Sequence, residues 1–204
     1  SGEIINHKLL FAAGAKSLPV ILSTGMALDI EIELAINQTI KGFISSAPRV
    51  HHDDLLKLIT DFKKKISILH CTTAYPCPAN EANLDEIIRY KEMFPLHDIG
   101  FSDHTLDNNA AMIASAMGAN IFEKHVTYDK SAIGPDHKAS LDINDFKNYV
   151  NAICLGQQLA SSDSNSLSIS EKKNIKVARR SLHKIDSKTK ASRPYDGESI
   201  FFEE

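Results

Sequence analysis

An α/β fold of the (β/α)8-barrel kind is what this sequence predicts, on three observations. Short apolar runs of strand length alternate four times with longer segments carrying apolar residues at helical spacing, the pattern of parallel strands covered by helices. Each strand-length run closes on residues able to do chemistry: Ser23-Thr24-Gly25, the stretch His70 to Tyr75, Ser102-Asp103-His104, and Lys124-His125. A barrel gathers its active site from the C-terminal ends of many strands. A doubly wound sheet also satisfies the alternation, but a dinucleotide-binding version would carry a glycine-rich phosphate turn, and no G-x-G-x-x-G occurs.

The elements follow in order. Pro19 to Ser23 (PVILS) is the first strand, stopped by Thr24-Gly25. Asp29 caps a helix to about Phe43, with apolar residues at Ile32, Ala35, Ile36 and Ile40. His52 to Lys64 repeats the helical period at Leu55, Leu58, Ile59 and Phe62. Ile66 to Cys71 (ISILHC) is the second strand, and a helix capped by Asn83 or Asp85 runs to about Phe94. Ile99 to Ser102 is the third strand, Asn108 to Met117 a helix, Ala119 to Val126 the fourth strand, and Ile143 to about Leu159 a last long helix. Ser161 to Ser170 (SSDSNSLSIS) is serine-rich and reads as a linker. Nothing is assigned before Pro19.

Composition removes several classes of function. A net charge of −3 over 204 residues, with no basic stripe, gives no footprint for nucleic acid. The densest basic run, Lys63-Lys64-Lys65, reads as a solvated helix end. The cysteines Cys71, Cys77 and Cys154 are odd in number and irregular in spacing, which suits a reducing compartment. Cys71 is read as a small buried residue in preference to a nucleophile. No apolar run reaches membrane-spanning length and no signal-peptide pattern opens the chain, so a cytoplasmic protein without a membrane partner is expected.

His104 and His125 carry the chemistry. Either alone is more often a hydrogen-bonded structural histidine, but their matching positions at the ends of successive strands point to one divalent metal held by two neutral imidazoles. Strand alternation turns Ser102 and His104 the same way, and likewise Glu123 and His125. Asp103 then points away and supports its loop. Lys124 also turns outward, against a Schiff-base role. Hydroxyls at Ser1, Ser23, Thr73 and Ser102 suit a phosphate or carboxylate held by neutral hydrogen bonds. The adjacent His51 and His52 read as part of a solvated loop.

Six strings, SGEI (Ser1 to Ile4), PVILSTGMA (from Pro19), LHCTTAYPCP (from Leu69), GFSDHTL (from Gly100), GANIFEKHVTYDK (from Gly118) and GPDHKASL (from Gly134), resemble in order and spacing the successive signatures of the N-acetylneuraminate (sialic acid) synthase family. EKKN followed by ARRSL, between Glu171 and Leu182, resembles that family's junction with a small antifreeze-like (SAF) domain. The resemblance implies the C-terminal portion of a TIM barrel over residues 1–159, from the end of strand four to helix eight, a linker over 160–174 and the start of the SAF domain over 175–204. It implies condensation of phosphoenolpyruvate with N-acetylmannosamine or a related N-acylated amino sugar, with phosphate release, by a homodimer using manganese or magnesium. His104 and His125 fall at the metal ligands. Ser1, Ser23, Thr73 and Ser102 fall at phosphoenolpyruvate-holding positions, that of Thr73 being often asparagine. Glu3, Tyr75 and Asp136 fall at sugar-contacting positions. Tyr75 and Asp136 join the histidines as the expected catalytic group.

The departures have consequences. Strands one to three, with the family's glutamate and lysine that handle water and phosphate, would precede Ser1. The chain stops before the family's arginine-containing segment, and Ser45 to Asp54 exceeds the usual connection. Two other readings stand beside the synthase: a non-catalytic remnant, and a metal-dependent aldolase-type lyase on the same fold. GPDHKASL is more similar to the neuraminate and legionaminate branches than to the pseudaminate one.

Overall fold

The computed structural model describes residues 2–160, 167–184 and 190–194. Contacts divide the chain into two units, Ser1–Ser161 and Ser162–Glu204.

The first unit opens with a helix absent from the sequence-based assignment, α1 (His7–Gly14). Its start is set by Asn6, whose side-chain oxygen accepts the Leu9 N–H at 3.2 Å. Strand β1 (Val20–Ser23) follows, then α2 (Asp29–Ser46) and α3 (His52–Lys63). Asp29 is the first helical residue of α2, not its cap. Glu31 reaches back to the Leu28 N–H at 2.7 Å, and the Asp29 carboxylate is held by both terminal nitrogens of Arg89. β2 (Ile66–Cys71), α4 (Asp85–Met93), β3 (Asp98–Asp103), α5 (Asn109–Ala116), β4 (Ile121–Lys124) and α6 (Ile143–Ala160) complete the alternation. β4 is shorter than the eight-residue strand expected, because the chain turns away after Lys124 and Val126 pairs instead with Leu141.

All neighbouring strands of this sheet are parallel and stand in the order β1-β2-β3-β4. That order has no reversal, and a doubly wound sheet is defined by one. The architecture is a parallel half-barrel. Its strands bury one face: Leu22, Ile68, Ile99 and Phe101 pack with Ile32 and Ile36 of α2, Ile87 and Tyr90 of α4, and Ala110 and Ala114 of α5. The other face is open at the outer strands, while Leu69, Cys71 and Ser102 of the central strands are buried. Ile21 is 57% exposed beside Leu22 at 6%, so the period of two is visible within one strand.

Helices α1 and α2 approach backbone to backbone through two glycines. A Cβ on Gly14 would lie 1.9 Å from the Thr39 carbonyl oxygen, and one on Gly42 would lie 2.0 Å from that of Phe11. Alanine at position 42 would gain about 1 kcal/mol of helix propensity. Against that, the two backbones must separate, an overpacking cost of about 1–3 kcal/mol with more possible where only backbone can yield. We expect Gly42→Ala to lower the denaturant midpoint; a raised midpoint would contradict the contact.

No helix among the described residues is long and apolar enough to cross a membrane. The second unit contains α7 (Ile169–Ala178) and an antiparallel pair, β5 (Arg180–Lys184) with β6 (Lys190–Pro194). Helix α7 thus begins within the segment 160–174 expected as a linker. Ser168 Oγ accepts the Glu171 N–H and the Glu171 carboxylate accepts the Ser168 N–H, a capping box hidden in a serine-rich run. Residues 161–166 of that linker, and 185–189 and 195–204 of the expected SAF segment, lie outside the described residues.

Candidate active site

The face opposite the helices lines an open cavity of about 750 Å³, bounded by Ile21, Ser23, Leu69, Cys71, Ser102, Ile121 and Glu123 from the strands and by Tyr75, His104 and His125 above them. Alternation and register account for this set. β3 and β4 pair Ser102 with Glu123 and Asp103 with Lys124. The first rung faces the cavity, where Ser102 Oγ donates to Glu123 Oε2 at 2.7 Å. The second faces the helices. The next residues, His104 and His125, return to the cavity side with ring centroids 5.2 Å apart and planes at 86°.

Each histidine is fixed by more than its strand. The His104 ring donates from Nδ1 to the Thr72 carbonyl at 2.8 Å, which leaves the Nε2 lone pair free. Its own carbonyl accepts the Cys77 N–H at 2.8 Å, tying the Thr72–Cys77 loop to β3. His125 is held where β4 breaks: its carbonyl accepts the Leu141 N–H at 2.9 Å, and Thr127 N–H returns to the Leu141 carbonyl at 2.8 Å. The Tyr75 ring lies 4.2 Å from the His104 ring and 5.5 Å from that of His125.

Cys71 sits at the bottom of this group, its Sγ 3.9 Å from His104 Nδ1. Burial raises its thiol pKa, but hydrogen bonds with His104, Ser23 and Ser102 outweigh that and bring it down to about 7. Burial likewise lowers the pKa of His104, while Cys71 and the Thr72 carbonyl more than compensate and hold it above the ordinary value. The Tyr75 hydroxyl is held above its usual range by burial and then by the charges of Cys71, Asp136 and Glu123.

Of the residues singled out from sequence, the structure brings Ser23, Ser102, Tyr75, His104 and His125 to one cavity. Three others stand elsewhere. Thr73 lines a neighbouring cavity of about 420 Å³ with Thr24, His70, Arg89 and Tyr90, its buried hydroxyl without a hydrogen-bond partner among the described residues. The chain has left β2 two residues earlier, so strand parity no longer predicts its direction. Glu3 lines a third cavity of about 280 Å³ that touches the first through Ile21 and Ser23, and its carboxylate accepts the Asn6 side-chain amide at 2.6 Å. Asp136 is exposed in the loop before α6 and reaches the group through its charge on Tyr75. Ser1 lies outside the described residues.

Cys71 is buried as expected, at 6% exposure, and Glu123 shares the side of His125 as strand alternation predicts; what the sequence did not give is their hydrogen-bond partners, His104 and Ser102. His51 and His52 are exposed at the start of α3.

Behind the sheet, Lys124 Nζ pairs with Asp103 Oδ2 at 3.1 Å, both side chains 1% exposed or less. Asp103 Oδ1 accepts the Thr105 N–H at 2.8 Å and the Thr105 hydroxyl at 2.7 Å. The Lys124 amine is thus committed to Asp103 and Thr105 and not offered to a substrate, against a Schiff-base version of the lyase reading; a version through a metal-bound enolate does not need it.

The donors fit a divalent transition metal as two imidazoles. No third His, Cys, Asp or Glu completes a metal-holding cluster among the described residues, so oxygens from substrate or water would supply the remaining positions.

Comparison with known proteins follows from this geometry. The family model described as "NeuB family" matches residues 1–164. The N,N'-diacetyllegionaminic acid synthase of Campylobacter jejuni is 40% identical over 182 residues, covering 89% of this chain and 49% of that protein. The N-acetylneuraminate-9-phosphate synthase of Mus musculus is 29% identical over 168 residues, covering 82% and 41%. The solved N-acetylneuraminic acid (sialic acid) synthetase of Leptospira borgpetersenii, in complex with citrate, superimposes with a TM-score of 0.68 at 29% identity over 85% of this chain and 54% of that one. The chain spans about half the length of the curated relatives it matches.

Proposed function

The chain belongs to the NeuB family, and from that premise we propose that the complete protein condenses phosphoenolpyruvate with an N-acylated amino sugar to make a nonulosonic acid. The single observation carrying this reading is the meeting of His104 and His125 above Ser23 and Ser102 in one cavity. The 40% identity to a legionaminic acid synthase favours a diacetamido sugar or N-acetylmannosamine as acceptor.

The residues divide the work by chemistry. His104 Nε2 and the His125 ring would hold a divalent ion, manganese or magnesium. Such an ion supplies Lewis acidity toward the sugar aldehyde. Ser23 holds the anionic substrate by a hydroxyl hydrogen bond. Ser102 donates its proton to Glu123 in the free protein and joins Ser23 on the substrate by turning that proton from Glu123 to the anion. Tyr75, its ring tilted against both imidazoles, covers the sugar side, and sugar contacts from Glu3 and Asp136 are a further part of the proposal. The enol carbon attacks the aldehyde carbon, water adds at the resulting cationic carbon, and phosphate leaves with C–O cleavage. Holding two substrates in one pocket converts a bimolecular encounter into an oriented one. The remaining parts of the proposal are a homodimer in the cytoplasm, a SAF domain beginning near residue 175, and further phosphoenolpyruvate contacts from Ser1 and Thr73.

The test is phosphate release by the full-length protein from phosphoenolpyruvate with manganese and each acceptor in turn. Metal-dependent release that requires the sugar supports the reading. Release without sugar, or none with any acceptor, would sink it.

A further inference from the structure

We propose that the buried Asp103–Lys124 ion pair is a positioning device that sets the spacing of His104 and His125 from behind the sheet. The inference rests on the metal-binding reading of those histidines.

Three observations carry it. First, the ion pair is the β3–β4 rung immediately before the histidines: Asp103 and Lys124 are cross-strand partners, and each precedes one histidine in sequence. Second, the pair brackets His104 from both sides. Asp103 Oδ1 accepts both the N–H and the hydroxyl of Thr105, and Lys124 Nζ donates to the Thr105 carbonyl. The residues before and after His104 are therefore tied to the strand carrying His125. Third, α6 closes the network. Lys124 Nζ lies 5.3 Å from the centre of the Tyr149 ring, and Tyr149 is fully buried with its hydroxyl pKa raised by burial and by Asp103.

Core packing does not call for charges here. Leu22, Ile68 and Phe101, on the same side of the sheet, are apolar and buried. A buried ion pair is often no more stabilising than apolar residues of the same volume, whereas its fixed directions can specify one geometry. Groups behind metal ligands orient them, and losing such groups costs about 10–100-fold in metal affinity.

The experiment uses the full-length protein with cobalt(II) as the probe, followed by binding titration and visible absorption, beside thermal melting. The double variant Asp103→Asn with Lys124→Met removes both charges, so neither is stranded in the core. It is expected to melt close to the parent, to bind cobalt about 10–100-fold more weakly and to show a shifted absorption band. Asp103→Asn alone keeps the acceptor for Thr105; it decides the matter if the double variant does not fold, with a weakened, shifted cobalt site again expected. A folded variant with parental affinity and spectrum would overturn the proposal. If the parent binds no cobalt, or His104→Ala and His125→Ala bind it as well as the parent, the metal reading falls and this inference falls with it. That outcome is told apart because the histidine variants are then no different from the parent.

Discussion

Replacing His104 by alanine in the full-length protein is expected to lower kcat/KM by about a thousandfold or more and to abolish tight manganese binding. The size follows from what is lost. A metal acting as Lewis acid is worth several kcal/mol of transition-state stabilisation, and about 4 kcal/mol corresponds to about a thousandfold in rate. His104 is the better fixed of the two imidazoles, its Nδ1 committed to the Thr72 carbonyl and Nε2 left for an ion. Its loss also empties the space against Tyr75 and Cys71. Ser23→Ala should cost far less, because one neutral hydrogen bond is worth about 0.5–1.5 kcal/mol, roughly tenfold. The two histidines act as a unit, so His104→Ala with His125→Ala should be little worse than either alone. Steady-state kinetics across the four variants, His125→Ala included, with metal content measured on the same preparations, checks this. A His104→Ala protein that keeps stoichiometric manganese and activity within tenfold of the parent would remove His104 from the ligand role, and the same result for the double variant would remove both histidines.

The second large effect concerns the chain by itself. Expressed as these 204 residues, it is expected to show no phosphate release with manganese, phosphoenolpyruvate and N-acetylmannosamine, while a full-length family member turns over under the same conditions. The sheet explains why. Among the described residues its outer strands, β1 and β4, each have a single partner, and its cavity face leaves Ile21 exposed. Parallel sheets are found almost entirely with both faces covered, and an unpaired strand edge is a template for association. The curated relatives carry about as much chain again. The chain alone should therefore associate or precipitate, and light scattering should report it. An open half-barrel would also leave phosphoenolpyruvate and the attacking water without a second wall, so the orientation that proximity requires is lost. Turnover matching the full-length protein would show that the residues described here suffice.

Strand and helix identities in the first unit were legible from period alone, as were the directions of Ser102, Asp103 and His104. Both are local properties: one residue's direction fixes its neighbour's within a strand. The six family-like strings were equally legible, because they are runs of contiguous residues, and the family match over residues 1–164 agrees with them. Helix α1 was not assigned although its cap, Asn6, is a local signal; its close approach to α2 through Gly14 and Gly42 joins segments that the sequence does not place together. Thr73 escaped because parity ends where the strand ends. The alternation alone fits a barrel and a doubly wound sheet equally; the polar residues at the strand ends favoured the barrel, and the order β1-β2-β3-β4 agrees. The pairing of Asp103 with Lys124, of Ser102 with Glu123, and the approach of His104 to Cys71 were decided only in three dimensions. Period says which way a side chain points. Register between strands, set by packing of the whole sheet against its helices, says what it meets there.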